Sequence, residues 1–222
     1  MAIVTGASSG LGARFAEVLA AAGAQVALVA RRAERLAEVA ARIDGSLVIA
    51  ADVSVPADVE RLSAQVIERF GRVDILVNNA GVSDVIRAEE EELDQFAGVI
   101  AVNLTAAYHL AQVVGRHMLA QRSGSIINVA SVLGFRSAGQ IPQAGYAASK
   151  GGLITLSKEL AAQWSRRGVR VNALCPGWFQ SEMTDDLFST DEGQKWLKRK
   201  TIAGRPGHPH ELDGALIWLA SD

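Results

Sequence analysis

Tyr146 and Lys150 stand four residues apart in Gly145-Tyr-Ala-Ala-Ser-Lys150, within a run that reads as a helix. That spacing places a phenol and an ammonium on one helical face, in neighbouring turns. A phenol is a poor base at neutral pH, with an unperturbed pKa of about 10. A fixed cation nearby favours the phenolate and moves the group towards acid/base chemistry. Such pairs also occur on solvated helices with no chemical role, so the residues around this one decide its meaning.

The start of the chain supplies a second chemical feature. Ala2-Ile-Val-Thr5 reads as an apolar strand, followed at once by Gly6-Ala-Ser-Ser-Gly10-Leu-Gly12. A helical pattern then runs from about Leu11 to Ala22, with Gly23 as its stop. A strand, a glycine turn and a helix together present free backbone N–H groups and a helix N-terminus to a phosphate. The glycines allow the tight turn and let a ligand approach without meeting a Cβ. The spacing is Thr-Gly-x-x-x-Gly-x-Gly, which differs from the G-x-G-x-x-G dinucleotide fingerprint.

The elements that must hold these residues follow one alternation. Strands are expected at Gln25–Ala30, Leu47–Ala50, Val73–Val77, Ser125–Val129 and Val169–Leu174. Helices are expected at Ala33–Ile43, from Ser54 and Pro56 to Phe70, over roughly Glu89–Gln121 as two helices, and at Gly145–Arg166. Nearly apolar strands separated by helices imply an α/β fold with a doubly wound parallel sheet covered on both faces. Ligands in such sheets sit beyond the carboxyl ends of the strands. The glycine turn, Asn79-Ala-Gly81, Ser131 and Pro176-Gly177 all fall there. The acidic run Glu89–Glu92 reads as a solvated helix start.

Composition restricts the classes of function. The chain of 222 residues suits one domain, taken as 1–222, with 49% hydrophobic and 21% charged residues. A net charge of −2 gives no basic footprint for nucleic acid or anionic membrane. No apolar run is expected to reach the ~18 residues of a membrane span, and no secretory leader is visible. The single cysteine, Cys175, fits a reducing, cytoplasmic setting and reads as inert packing at a strand end. The four histidines have no partner pattern for zinc or for a Ser-His-Asp system, so no metal is expected.

Thr5-Gly-x-x-x-Gly10-x-Gly12, Asn78-Asn-Ala-Gly81, Ser131 and Tyr146-x-x-x-Lys150 together resemble the compact, single-domain branch of the short-chain dehydrogenase/reductase family. The sequence resembles the 3-oxoacyl-carrier-protein reductase-like and sugar or alcohol dehydrogenase members of that family. The resemblance runs the length of the chain and implies a Rossmann-like fold, NADP(H) or NAD(H) as cofactor and a homo-dimer or homo-tetramer. It implies that Tyr146 is the acid/base, that Lys150 depresses the tyrosine pKa and holds the nicotinamide ribose, and that Ser131 orients the substrate oxygen. Asn103 matches the asparagine that anchors a proton-relay water, with a polar helix kink or backbone bond as the other reading. In reduction, a hydride would pass from the nicotinamide to a carbonyl carbon while Tyr146 protonates the oxygen.

Cofactor contacts are expected from Gly6, Ser8, Ser9, Gly10, Leu11, Gly12, Arg31, Arg32, Asp52, Val53, Asn79, Ala80, Gly81, Tyr146, Lys150, Pro176 and Gly177. An acid at the end of the second strand would favour NAD, whereas an arginine suits a 2′-phosphate. Here that strand ends Ala30-Arg31-Arg32 with no acid, so NADP is expected, with Arg31 at the position the resemblance links to that preference. Asp52 reads either as the family's adenine-contacting acid or as a helix-capping acid. Substrate-side candidates are Ser131, Leu133, Phe135, Ile141, Gln143, Trp178, Phe179 and Met183, mostly apolar, which suits a neutral ketone or secondary alcohol better than a polyanion.

Two departures accompany the resemblance. The interval from Ser131 to Tyr146 is slightly longer than usual, which points to an insertion in that loop. Family members usually continue through a seventh strand, whereas this sequence stops at Leu219-Ala-Ser-Asp222, so either the sequence is trimmed or one sheet edge is bare or differently covered. A catalytically silent nucleotide-binding scaffold is the alternative function, opposed by the intact Ser131, Tyr146 and Lys150.

Overall fold

The structure, a computed structural model, describes residues 1–221. Six strands form one parallel sheet: β1 (Ala2–Thr5), β2 (Val26–Ala30), β3 (Leu47–Ala50), β4 (Ile75–Asn78), β5 (Gly124–Val129) and β6 (Val169–Leu174). Their order is β3-β2-β1-β4-β5-β6, and every neighbouring pair is parallel. The chain builds outward from β1 to β3 and then returns to place β4 on the other side of β1. That reversal leaves a crevice beyond the carboxyl ends of β1 and β4. The expected doubly wound α/β fold is therefore present, with β3 and β6 as sheet edges among the described residues.

Helices α1 (Gly10–Ala21), α2 (Ala33–Ala40), α3 (Pro56–Phe70), α4 (Leu93–Ile100), α5 (Ala106–Gln121) and α6 (Ala144–Trp164) cover the two faces. Short helices α7 (Asp185–Ser189), α8 (Asp191–Lys200) and α9 (Asp213–Ala220) follow β6. One face packs Ile3, Val29, Leu62, Leu76, Leu110, Met118 and Trp164, and the other packs Val4, Phe15, Leu19, Leu28, Leu36, Ile127 and Leu216. Strand residues alternate between these two cores, which is why the strands read as continuous apolar runs.

Several expectations need correcting. Helix α2 ends at Ala40 rather than Ile43, because residues 41–45 turn away, with Gly45 at φ 71°. The acidic run lies before α4 instead of opening it: Glu92 is the N-cap and forms a reciprocal capping box with Gln95. Between α4 and α5 the chain does not break; residues Ala101–Thr105 form a π-helical turn. The whole stretch Leu93–Gln121 is thus long and apolar enough to span a membrane by length and composition, contrary to the expectation of no such run. Its apolar side instead packs against α3, α6 and the sheet, with Leu110, Val113, Val114 and Met118 buried.

Polar links between elements fix their register near the crevice. Buried Asn78 donates to Asn128 Oδ1 at 2.9 Å and to the Ala107 carbonyl at 3.1 Å, and Asn128 donates to Ser157 Oγ at 2.9 Å. Every member is satisfied, so the chain joins β4, β5, α5 and α6 without a desolvation penalty for an orphaned group.

Candidate active site

The glycine turn is built by geometry that side chains would obstruct. Gly6 and Gly10 have φ of 65° and 54°, the left-handed region that favours glycine. Thr5 Oγ1 accepts from the N–H groups of Asn79 and Ala80, each at 3.0 Å, and Asn79 Nδ2 donates to the Thr5 carbonyl at 3.0 Å. This clamp joins the two loops across the crevice. It also explains Asn79 as a brace for the turn. Ser9 is the N-cap residue of α1 but makes no side-chain cap, and no acid lies in the first turn. The first N–H groups of α1 therefore lack a side-chain partner and point into the crevice.

The crevice is a cleft of about 440 Å³. It is lined by Gly6, Ser8, Ser9, Gly10, Leu11, Arg31, Arg32, Asp52, Val53, Asn79, Ala80, Gly81, Ser131, Tyr146, Lys150, Pro176 and Gly177. Of the cofactor candidates only Gly12 is missing from its wall. Gly12 acts behind the wall, where a Cβ would run into the Gly6 carbonyl and lie 2.5 Å from Asn79 Nδ2.

Tyr146, Ser131 and Lys150 meet at the inner end of this cleft. Ser131 stands two residues past β5, where its hydroxyl acts to lower the Tyr146 phenol pKa; its Oγ accepts from the Leu133 N–H at 3.1 Å. Lys150 is buried at 4% exposure and donates from Nζ to the Val129 carbonyl at 2.7 Å. Its ammonium lies 5.6 Å from the centroid of the Tyr146 ring. Gly81 makes room for this arrangement, since a Cβ there would stand 3.3 Å from Asn103 Oδ1 and 3.5 Å from Lys150 Nζ.

The electrostatics differ from the expectation for the pair. Burial pushes the Tyr146 phenol above its ordinary value, and the hydrogen bond from Ser131 opposes it; Lys150 does not set the direction. Burial also lowers Lys150 from 10.5 to about 8, offset in part by Cys175. Cys175 itself is pushed up by burial, so it stays a protonated thiol, in keeping with a packing role.

The Lys150 shift has a measurable consequence for stability. Between about pH 8 and 10.5 the unfolded chain carries the Lys150 proton and the folded chain does not. Unfolding then takes up a proton, so the Lys150 contribution to stability rises with pH across that window. Urea midpoints of the wild type and Lys150→Met, measured at about pH 7.5 and 9.5, should differ by a gap that shifts in favour of the wild type at the higher pH. A gap independent of pH would mean that Nζ stays charged in the folded protein.

Asn103 sits in the π-helical turn and is 1% exposed. Its Nδ2 donates to the Val82 carbonyl at 2.9 Å and to Ser149 Oγ at 3.0 Å, and Oδ1 accepts from the Val82 N–H at 2.8 Å. Ser149 in turn donates to the Tyr146 carbonyl at 2.7 Å. Both side-chain donors are consumed, so the backbone-bond reading describes this side chain, which anchors the loop after β4 to α6. Asp52 accepts from Ser54 N at 2.9 Å and Oγ at 2.6 Å, and these bonds hold its carboxyl below the usual range. That is an Asx turn ahead of α3, whose N-cap is Val55 with no side-chain cap, so Asp52 does not cap the helix; its carboxyl lines the cleft.

The arginines are not free of acids, as the strand's own sequence suggested. Arg31 Nη1 lies 3.9 Å from Asp52 Oδ2, with its side chain 69% exposed. Arg32 donates to Ser8 and Ser9 Oγ, each at 3.1 Å, and to both oxygens of Glu182 at 3.2 and 2.8 Å. Ser181, Glu182 and Thr184 therefore belong to the cleft and were missed. Nothing in the order of residues brings Glu182 to the end of β2, so no local pattern pointed to it.

The substrate-side candidates separate. Ser131, Phe179 and Met183 line the main cleft. Leu133, Ile141 and Gln143 line a second cavity of about 210 Å³, walled also by residues 137–139 of the loop before α6, where Ser83 Oγ donates to Gln143 Oε1 at 2.9 Å. Phe135 is exposed and lines neither. Trp178 also lines neither; it is buried edge-on against Trp196, with ring centroids 4.9 Å apart. The apolar surroundings of Leu133, Trp196 and Leu197 drew it into a small core. Among the described residues no cluster of His, Cys, Asp and Glu could hold a metal ion.

Residues 1–192 match the family model described as short chain dehydrogenase. Over its whole length the chain is 38% identical to D-threitol dehydrogenase of Mycolicibacterium smegmatis, covering 86% of that protein. It is also 38% identical to a 3-oxoacyl-[acyl-carrier-protein] reductase of Vibrio cholerae, covering all of this chain and 89% of that one. The crystal structure of a gluconate 5-dehydrogenase from Burkholderia cenocepacia, in complex with NADP and tartrate, matches 99% of this chain and 87% of its own. The TM-score is 0.93 at 37% identity.

Proposed function

Because the chain belongs to the short chain dehydrogenase family of NAD(P)-dependent oxidoreductases, we propose that it interconverts a carbonyl and a secondary alcohol with NADP(H), using Tyr146 as the acid/base. The observation that carries this reading is the meeting of Tyr146, Ser131 and Lys150 at the inner end of a cleft that also holds an uncapped helix N-terminus. When bound along that cleft, NADP(H) would supply the hydride chemistry. The fit is chemical: unpartnered N–H groups of α1 suit the pyrophosphate, and Arg31 suits a 2′-phosphate.

Ser131 binds the substrate oxygen and sets its orientation. Tyr146 gives that oxygen a proton in reduction and removes one in oxidation. Its raised pKa keeps it protonated at neutral pH, which suits the donor role. Lys150 holds ribose hydroxyls with the N–H groups it does not spend on Val129. Asn103 is a positioning residue, and any water it anchors would use its main-chain carbonyl. Phe179 and Met183 provide apolar wall for the substrate, and the cavity beside Leu133 and Gln143 accommodates its far end.

The test is cofactor oxidation against a carbonyl panel of ketones, ketosteroids, sugars and acyl-thioester ketones, including matched neutral and carboxylated members. Turnover with NADPH and a preference for neutral members are expected; no turnover with any member would sink the reading. Titration should show NADPH binding more tightly than NADH, with Arg31→Ala costing NADPH about 1.5–3 kcal/mol, or roughly tenfold to a hundredfold. Equal wild-type affinities for the two cofactors would defeat the role given to Arg31.

A further inference from the structure

The segment after β6 folds back over the glycine turn. A Cβ on Gly10 would lie 3.3 Å from Ser181 Cβ, so this segment roofs the N-terminus of α1. It is internally braced: Thr184 Oγ1 donates to the Phe179 carbonyl at 2.8 Å, and the Ser181 N–H donates back to Thr184 Oγ1 at 3.0 Å. The brace presents Glu182 to Arg32 in a two-oxygen pairing, while Arg32 Nη2 also reaches Ser8 and Ser9. A guanidinium and two hydroxyls at the mouth of a phosphate-binding turn make an anion site, and a carboxylate of the chain itself occupies it.

We propose that Glu182 is a cofactor-selectivity residue, whose carboxylate competes with the 2′-phosphate of NADP(H) for Arg32, Ser8 and Ser9. The inference rests on the NADP(H) reading above. A phosphate monoester carries a charge of about −1.5 to −2 near neutral pH and cannot share one guanidinium edge with a carboxylate without repulsion. NADH, with a ribose hydroxyl in that place, imposes no such conflict. Arg31, which makes only a 3.9 Å pairing with Asp52, is then the arginine that meets the phosphate first, and Arg32 joins only after Glu182 yields. Glu182 is held below the usual carboxylate range chiefly by the Arg32 hydrogen bond, so it remains charged at neutral pH.

The test is a titration of NADPH and NADH, followed by protein fluorescence or heat, against the wild type, Glu182→Gln, Arg32→Ala and the double variant. Glu182 is a surface side chain, and its amide keeps the shape while removing the charge. Glu182→Gln should bind NADPH about tenfold more tightly at low salt, with the gain shrinking as salt rises, and should bind NADH within about twofold of the wild type. In the Arg32→Ala background the same change should give a much smaller gain. Unchanged NADPH affinity in Glu182→Gln, or an equal change for both cofactors, would overturn the proposal. A wild type that binds neither dinucleotide would defeat both this inference and the reading beneath it. Binding as expected but without turnover would defeat the reaction assigned above and leave the selectivity role standing.

Discussion

Tyr146→Phe should cut turnover by at least about 10²–10⁴-fold, the usual contribution of a positioned acid or base, while leaving cofactor affinity nearly unchanged. The phenol is the group at the inner end of the cleft that can donate and regain a proton at the substrate oxygen. Ser131 shares that oxygen, but an alcohol hydroxyl is a far weaker acid. Lys150 is committed to the Val129 carbonyl at 2.7 Å and stands behind the ring. Removing one oxygen leaves the ring in its apolar surroundings beside Leu133 and Trp178, so the fold should survive. Steady-state rates with the best panel substrate, read beside a cofactor titration, provide the measurement. Near wild-type turnover in a folded variant would remove Tyr146 from the mechanism.

The second large effect is expected at Gly12. An alanine Cβ there would strike the Gly6 carbonyl and come to 2.5 Å from Asn79 Nδ2, both parts of the clamp between the first and fourth strands. Neither neighbour is the loose end of a flexible side chain, so the turn or the helix must move. Overpacking of this kind costs about 1–3 kcal/mol. Because the turn and helix that must move carry the phosphate-facing N–H groups, NADPH affinity should fall at least roughly tenfold, a loss comparable with one charge-assisted hydrogen bond. Gly98→Ala is the control: it lies in α4 with nothing within 4 Å of the added Cβ, and alanine is the better helix former. Urea midpoints and NADPH titrations of both variants would decide. A Gly12→Ala protein as stable and as tight as the control would show that the turn relaxes freely.

The candidate site residues were legible because each was fixed by local structure. Tyr146 and Lys150 are four residues apart on α6, and a helix of that length puts them on one face whatever else the chain does. Ser131 follows directly from β5, and strand ends in a parallel sheet point to one side. The six strands could be read because burial on both faces leaves an unbroken apolar run in the sequence. Helix limits were less legible at α2 and before α4. There turns and a capping box compete with the helix over polar residues of similar propensity.

What the order of residues determined, then, was the sheet, the glycine turn and the placement of Ser131, Tyr146 and Lys150, all set by periodicity within single elements or by strand ends. Tertiary structure alone decided the rest. Burial, rather than the neighbouring ammonium, sets the state of Tyr146, because desolvation depends on how α6 packs over β5 and β6. The side chain of Asn103 is spent on Val82 and Ser149, partners 21 and 46 residues away. Trp178 is drawn from the expected substrate wall into a small core with Trp196. Glu182, 150 residues from Arg32, closes the anion site at the end of β2. Contacts of that range depend on which loops the fold brings over the carboxyl ends of the strands, and no local pattern of residues encodes them.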